Sequence, residues 1–444
     1  MRRSVLSAGV ALVLAAGGVT AGIAATSGGP AVPSLYLAGI AENPCTHQPL
    51  TVPVSAAGQF LPDSSVLNTT RQTSCVAGAV AASKQWLGSG RIPGDSLAQR
   101  ELATRALLDL RLSVQPDGAV VAGFHHGWDY TWPRDSSWVS AALAGTGHAE
   151  QALSILRFLQ RVQSSDGTFE ARYYTDGSGP VRDGRPAELD AVGWVPWAVW
   201  AWAATQRTSP GSPARGELQQ LWPMVTKAAG AAVRSLTSSG LPEPAMDYWE
   251  NKPIEQTLGT AAPLLAGLRA AAGLAGLLNL PDDEARWTSA ATRLSAAIVR
   301  LFGSTGYQRT PDAGSGADTA VTFLGPPLAT PDAAVEAAAR SAQRALTLPN
   351  GGLRPGAAWH GASGVAWTPE TAMFALFDAA TGQKAAAEQL LAWLAGHRTA
   401  LGELPEQVSG VGRPVSVTPL AWTDAIVLLT LLAQDQGLSI PPPG

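Results

Sequence analysis

Apolar residues recur along most of this chain at helical spacing, in segments separated by short runs rich in Gly, Pro and Asp. Strand-like alternation is scarce. The segments form two alternating sets. One begins near Ser96, His148, Ala214, Pro281, Thr330 and Gly382 and carries more charge, as in Asp282-Asp283-Glu284-Ala285-Arg286. The other begins near Asp135, Glu188, Thr257, Gly316, Thr368 and Val417 and is more apolar, as over residues 419–429. A helix apolar nearly all round is buried, whereas an amphipathic one faces water. Six buried helices ringed by six half-exposed ones predict an all-α (α/α)6 toroid built of six hairpins. An open helical solenoid is the alternative. Starts in the second set lie roughly 50 to 70 residues apart, a coarse internal period. One further helix is expected over residues 76–87, ahead of the toroid.

The first 25 residues read differently. Arg2 and Arg3 precede an apolar run over residues 5–23, followed by small residues. A charged start, an apolar middle and a small-residue end describe a secretory signal, with cleavage expected near Ala24 or Ala25. An uncleaved membrane anchor is the rival reading, and no other stretch reads as apolar enough to span a bilayer. Cys45 and Cys75 both lie in the exported part. In an oxidising compartment they are expected to pair, two free buried thiols being the alternative. Residues 26–93 are rich in Pro, Gly and Ser and read as an extended arm wrapped on the barrel. The chain thus divides into an export segment (1–25), an N-terminal arm with one helix (26–93) and the barrel (94–438).

Composition narrows the function. Only 14% of residues are charged, the formal net charge is −4, and the basic residues are scattered, so an electrostatic footprint for nucleic acid is missing. Six histidines and two cysteines leave little for a Cys/His zinc site. His125-His126 lack completing ligands, and the spacing of Asp312 and Asp318 does not follow a calcium loop. There is no Walker phosphate loop, strand-embedded dinucleotide fingerprint or G-x-S-x-G nucleophile elbow. Neither metal nor cofactor is expected, and the protein is expected to act as a monomer.

In a toroid the loops entering the inner helices open on one end of the barrel. Here they are Trp132-Pro133-Arg134-Asp135, residues 184–190, Met246-Asp247-Tyr248-Trp249-Glu250, residues 316–319, residues 366–370 and residues 402–407. They hold a large share of the Trp, Arg, Asp and Glu of a charge-poor chain. Aromatic faces stack on sugar rings, carboxylates and Arg bind hydroxyls, and two further carboxylates supply acid/base chemistry, so the mixture reads as a carbohydrate site. Trp194, Trp197, Trp200 and Trp202 are assigned instead to barrel packing.

Four segments then carry a specific resemblance. Trp132-x-Arg134-Asp135, Asp247-x-Trp249-Glu250, Pro405-Glu406-Gln407 and Pro419-Leu420-Ala421-Trp422-x-x-Ala425 are similar, in order and spacing, to signature segments of the glucoamylase family, glycoside hydrolase family 15. The resemblance spans residues 97–432. It implies an (α/α)6 barrel and hydrolysis of α-glucosidic bonds with inversion, on α-glucans or maltooligosaccharides; trehalose and α-1,6 glucans are substrates of other members. It makes Glu250 the general acid, with a raised pKa for which Trp249 would provide an apolar setting, and Glu406 the ionised general base, with Glu403 a competitor for that role. Two such carboxyls stand about 6.5–9.5 Å apart in an inverting site. Arg134 and Asp135 match the pair that holds the non-reducing glucose, and Trp132, Trp249 and Trp422 match aromatic positions around it. Tyr130 and Trp128 are weaker candidates, and Arg354 is a candidate cleft arginine. Asp190 is either a substrate ligand or a first-turn acid favoured by the helix dipole. The chain departs from the family where Asn251 follows the acid and where His125-His126 open the loop to Trp132. A toroid that binds glycan without cleaving it is the reading from another class.

Overall fold

A computed structural model describes residues 30–443 apart from 57, 72, 207, 252 and 253, so the export segment lies outside the described residues. The amphipathic helices form an outer layer: α2 (Leu97–Ser113), α4 (Ala149–Val162), α6 (Pro213–Arg234), α8 (Pro281–Phe302), α9 (Ala333–Leu346) and α11 (Lys384–Gly396). The apolar set forms the inner ring: α3 (Pro133–Gly145), α5 (Ala191–Thr205), α7 (Leu258–Leu278), α10 (Thr368–Ala380) and α12 (Ala421–Gln436). Each inner helix packs on its inner neighbours, and α12 returns against α3 to close the toroid. Burial follows the pattern of the sequence: α3 is buried from Pro133 through Ala144, whereas α4 buries only Ala152, Leu153, Ile155, Leu156, Phe158 and Leu159.

The fourth inner position differs from expectation. The segment entering near Gly316 becomes a 3₁₀ helix, Thr319–Leu324, capped by the Asp318 carboxylate on the Ala320 N–H. Gly325-Pro326-Pro327 follow at once, and two prolines remove the amide donors that a continuing helix needs. The short element still completes the ring by packing on α7, α9 and α10.

The interior is filled by aromatic rings. Trp138 of α3 lies 5.4 Å from Trp194 and 4.6 Å from Trp197 of α5, and Phe323 meets Trp194 edge-on at 5.1 Å. α5 and α7 touch backbone to backbone: a Cβ at Gly193 would lie 2.1 Å from the Pro263 carbonyl oxygen, and one at Gly267 2.6 Å from the Gly193 Cα. Contrary to the expectation that only the N-terminus is apolar enough, α7 has the length and composition to cross a membrane. Its apolar surface is consumed by the barrel interior instead.

The arm is a hairpin followed by a helix. β1 (Gly39–Glu42) pairs antiparallel with β2 (Pro49–Val52), and α1 (Thr73–Ser89) extends the expected helix by a few residues at each end. The Cys45–Cys75 disulfide ties the hairpin to α1. Three short strands, β3 (Ala366–Trp367), β4 (Gln407–Val408) and β5 (Pro414–Val415), form a small antiparallel sheet beside the loops that enter α10 and α12.

Candidate active site

Five of the six loops entering the inner positions converge as expected and enclose a cavity of about 340 Å³, at the lower end of the range for small-molecule sites; residues 316–319 do not line it, and Asp318 is fully buried. Trp132, Arg134, Asp135, Trp249, Glu250, Glu406 and Trp422 all line it. Trp128, the weaker aromatic candidate, lines it too. A larger hollow of about 810 Å³ between the arm and α2 contains none of the sequence-predicted site residues.

Arg134 organises one wall. It lies in the first turn of α3, 4% exposed, with Nη1 2.6 Å from Glu188 and Nη2 3.0 Å from Glu250; Asp135 lies 3.4 Å from its Nε and Asp190 3.9 Å from Nη1. Burial works against its charge, but Glu188, Asp135, Asp190 and Glu250 outweigh burial and hold its pKa well above the ordinary value. The Trp422 ring lies 5.0 Å from the same guanidinium. Burial pushes the Asp135 carboxyl up to about 6, against the pull of Arg134.

Glu250 ends a tight turn. Its N–H donates to the Asp247 carbonyl at 2.7 Å and its φ is +55°, a left-handed conformation that costs a non-glycine residue energy. The turn is over-determined from below. Asp247 accepts from the Trp249 N–H at 3.0 Å and the Thr257 hydroxyl at 2.8 Å, and Arg309 bridges Asp247 at 3.0 Å to Asp318 at 3.1 Å. The Arg309 guanidinium also lies 3.5 Å from the centroid of Trp249. Asp318 in turn accepts from the Tyr248 hydroxyl at 2.5 Å.

The apolar setting expected for Glu250 is not what surrounds it. Arg134 donates to Oε1 and Arg185 to Oε2, and the side chain is 30% exposed. The Trp249 face that sequence reasoning placed beside the carboxyl is spent on Arg309, and its edge meets Trp359 at 5.2 Å.

Glu406 is held by neutral donors. Trp128 Nε1 donates to Oε1 at 3.0 Å, and the Ser416 hydroxyl and the Gln407 amide donate to Oε2 at 2.5 and 3.2 Å. The residue is 7% exposed. Burial pushes its carboxyl up to about 7; the Ser416, Trp128 and Gln407 hydrogen bonds oppose this, and Glu250 adds to it. Glu403, the competitor, is fully buried under the arm, where both its oxygens accept the Ile40 N–H at 3.0 Å, and it is not part of the cavity wall.

Three other candidates also lie off the wall. Asp190 is fully buried behind Arg134 and accepts from the Trp194 indole at 3.0 Å. Tyr130 lies behind Arg172, whose guanidinium is 4.5 Å from its ring. Arg354 is placed outside the cavity, with its backbone N–H on Leu346; the buried arginine under the turn that ends at Glu250 is Arg309. Sequence reasoning also missed Arg172, Arg185, Trp359, Trp367 and Glu370, all of which line the cavity. Two of these, Arg172 and Arg185, share the loop between α4 and α5, joined through Asp183. Glu370, in the first turn of α10, is pushed up to about 8 by burial. Its nearest sequence signal was membership of the loop 366–370.

No family model matches the chain. A glycosyl hydrolase of Methanocaldococcus jannaschii is 24% identical over 205 residues, which is 45% of this chain and 31% of that protein; the match therefore spans about a third of the relative's length. Among solved structures, a glycosidase superposes with a TM-score of 0.63 at 22% identity, covering 77% of this chain and 99% of its own. A bacterial glucoamylase complexed with acarbose gives 0.65 at 16% identity over 84% of this chain and 61% of its own. The glucoamylase of Saccharomycopsis fibuligera gives 0.58 at 13% identity over 78% and 97%. In fold, the chain is an (α/α)6 toroid of the kind that glucoamylases have.

Proposed function

We propose that the protein is an exported glycoside hydrolase that removes glucose from the non-reducing ends of α-glucans or maltooligosaccharides with inversion. The observation that carries this reading is that Glu250 and Glu406 line one small cavity together with the Arg134-Asp135 pair and an aromatic wall. Similar folds in a glycosidase variant solved with glucose and in a glucoamylase solved with acarbose favour a glucosyl unit. Export rests on the pattern of residues 1–25, and the Cys45–Cys75 bond suits an oxidising compartment.

In this reading Arg134 and Asp135 bind the hydroxyls of the terminal glucose while the Trp walls pack on its ring. Both oxygens of Glu250 are engaged by arginines. A sugar that takes over the Arg134 donors frees one oxygen to carry a proton to the glycosidic oxygen. Glu406, ionised, accepts a proton from water on the opposite face. No cofactor takes part in these steps.

The test is proton NMR of the full chain with maltotetraose, isomaltotriose and trehalose. Early β-glucose from one of them establishes inversion and chooses the linkage. Early α-glucose overturns the two roles. Release from none points to another α-glucoside as substrate and, after that, to a toroid that binds glycan without cleaving it. The surroundings of Glu406 favour one second reading, with the roles exchanged: it is buried, held by neutral donors, and its carboxyl is pushed up to about 7 by burial. α-Glucosyl fluoride separates the two readings, because fluoride leaves without a proton. The acid's Gln variant keeps activity on it, and the base's does not.

A further inference from the structure

We propose that the N-terminal arm is part of the catalytic apparatus: residues Ser34 to Tyr36 position Ser416 and Trp128, two of the three side chains that hold Glu406. The proposal rests on the reading of Glu406 as the general base, and concerns how that base is kept in place.

Ser416 lies just past β5, at the edge of the small sheet whose β4 begins beside Glu406. The arm joins that edge through a single parallel bridge. Leu35 bridges Ser416, the Tyr36 N–H donates to the Ser416 carbonyl at 3.0 Å, and the Ser416 N–H donates to the Ser34 carbonyl at 2.9 Å. Both backbone hydrogen-bonding groups of Ser416 are thus satisfied by the arm. The residue has φ +67°, a strained conformation for serine that persists only where its surroundings impose it. From that conformation its hydroxyl reaches Glu406 Oε2.

The second donor is braced from the same segment. The Tyr36 ring stacks on His125 at 4.1 Å with an 18° tilt, and both rings flank Trp128, at 5.8 and 6.2 Å. The Trp128 N–H also donates to the His125 carbonyl at 2.8 Å, and the Trp128 indole N–H reaches Glu406 Oε1. Tyr36 itself is not part of the cavity wall. The departure at His125 noted in the sequence gains a purpose here, since the imidazole is the platform on which the arm rests.

The arm is anchored independently of this contact. Glu403 grips the Ile40 N–H, and the Cys45–Cys75 bond fixes the following hairpin to α1. Loss of Tyr36 therefore loosens the segment at Ser416 without releasing the arm. The titratable groups that act on Glu406 are Glu250 and Glu370 of α10, and neither depends on the arm.

The experiment compares Tyr36→Ala, Tyr36→Phe and His125→Ala in the full-length chain by carboxyl ¹³C NMR of glutamate-labelled protein, with Glu406 assigned by the resonance lost in Glu406→Gln. In Tyr36→Ala and His125→Ala the Glu406 titration should move up by about one pH unit, the size of a weakened hydrogen bond to a carboxylate. Tyr36→Phe, which keeps the stack, should titrate like the wild type. With a cleaved substrate, kcat in Tyr36→Ala should fall about tenfold with KM little changed, as expected for a displaced catalytic group. An unmoved Glu406 titration in folded Tyr36→Ala overturns the proposal; if that variant does not fold, an unmoved titration in His125→Ala does so. The base assignment fails separately, through a Glu406→Gln variant with full turnover, and the titration shift stands or falls regardless of it.

Discussion

The two carboxyls of the cavity occupy opposite kinds of surroundings. Glu250 is 30% exposed, perched on a left-handed turn and gripped by two guanidinium groups. Glu406 is buried, lies at the head of a short strand and is held only by an indole, a hydroxyl and an amide. One is governed by formal charge, the other by burial opposed by neutral dipoles. Carboxyls in separated environments are how a fold divides acid from base work. The partners of Glu250 are arginines of the cavity wall, charged donors that a sugar would compete for, whereas those of Glu406 are neutral.

The largest effects should come from removing either member. Glu250→Gln and Glu406→Gln are each expected to lower turnover of a natural substrate by about 10²–10⁴-fold, with melting temperatures close to wild type because Gln is nearly isosteric. Steady-state kinetics and a thermal melt check both parts, and full turnover in either variant removes that residue from the mechanism. Arg134→Ala should follow at about 10²-fold in kcat/KM, with KM and kcat both damaged. It deprives Glu250 and Glu188 of a common partner, so the variant should also melt earlier. An Arg134→Ala enzyme with wild-type kcat would confine that wall to ground-state binding.

The toroid was legible because its two helix sets differ in which faces are apolar, and burial reproduces that difference in α3 against α4. Its one irregular position was written in Gly325-Pro326-Pro327, which the reading of a helix from near Gly316 left out of account. For the site, the order of the loops brought Arg134, Asp135, Glu250, Glu406 and three tryptophans to one cavity. What eluded sequence reasoning was pairing across loops. Nothing local links Arg185 to Glu250, 65 residues apart, Arg309 to Asp247, or Tyr36 to His125. The setting of Glu250 was misjudged for the same reason: the partners of its carboxyl come from α3 and the loop before α5, not from the residue beside it in sequence.

A finer probe trims one partner on each side. Ser416→Ala removes a neutral donor from Glu406, whose carboxyl already stands at about 7. Losing a hydrogen bond to the charged form raises the pKa further. A base must be ionised, so activity near pH 5 should fall by about tenfold while activity above pH 8 is largely kept. Arg185→Ala, on the other side, should leave that acidic limb in place and act on KM. pH–rate profiles of the two variants read the difference; a matching shift in both would mean that the two environments are one coupled unit.

The smallest effect concerns stability. Glu370 lines the cavity between the two sides, 3% exposed, with Oε2 lacking a hydrogen-bond partner among the described residues. Burial raises it from the ordinary 4.5 to about 8, with Glu406 adding to the rise and its own backbone hydrogen bond and Arg134 opposing it. A carboxyl raised on folding favours the native state while protonated. Its contribution is whole below the unfolded pKa and is lost as pH climbs through the folded one. The wild-type melting temperature should therefore decline between about pH 5 and 8, a decline shared by Asp135 and Asp190, which burial raises to about 6 and 7. Glu370→Gln cannot ionise, so it should melt about 2 °C higher than wild type at pH 8.5 and with little difference at pH 5. Calorimetry at the two pH values decides it. A gain of equal size at both would assign the effect to packing rather than to a charge that the cavity disfavours.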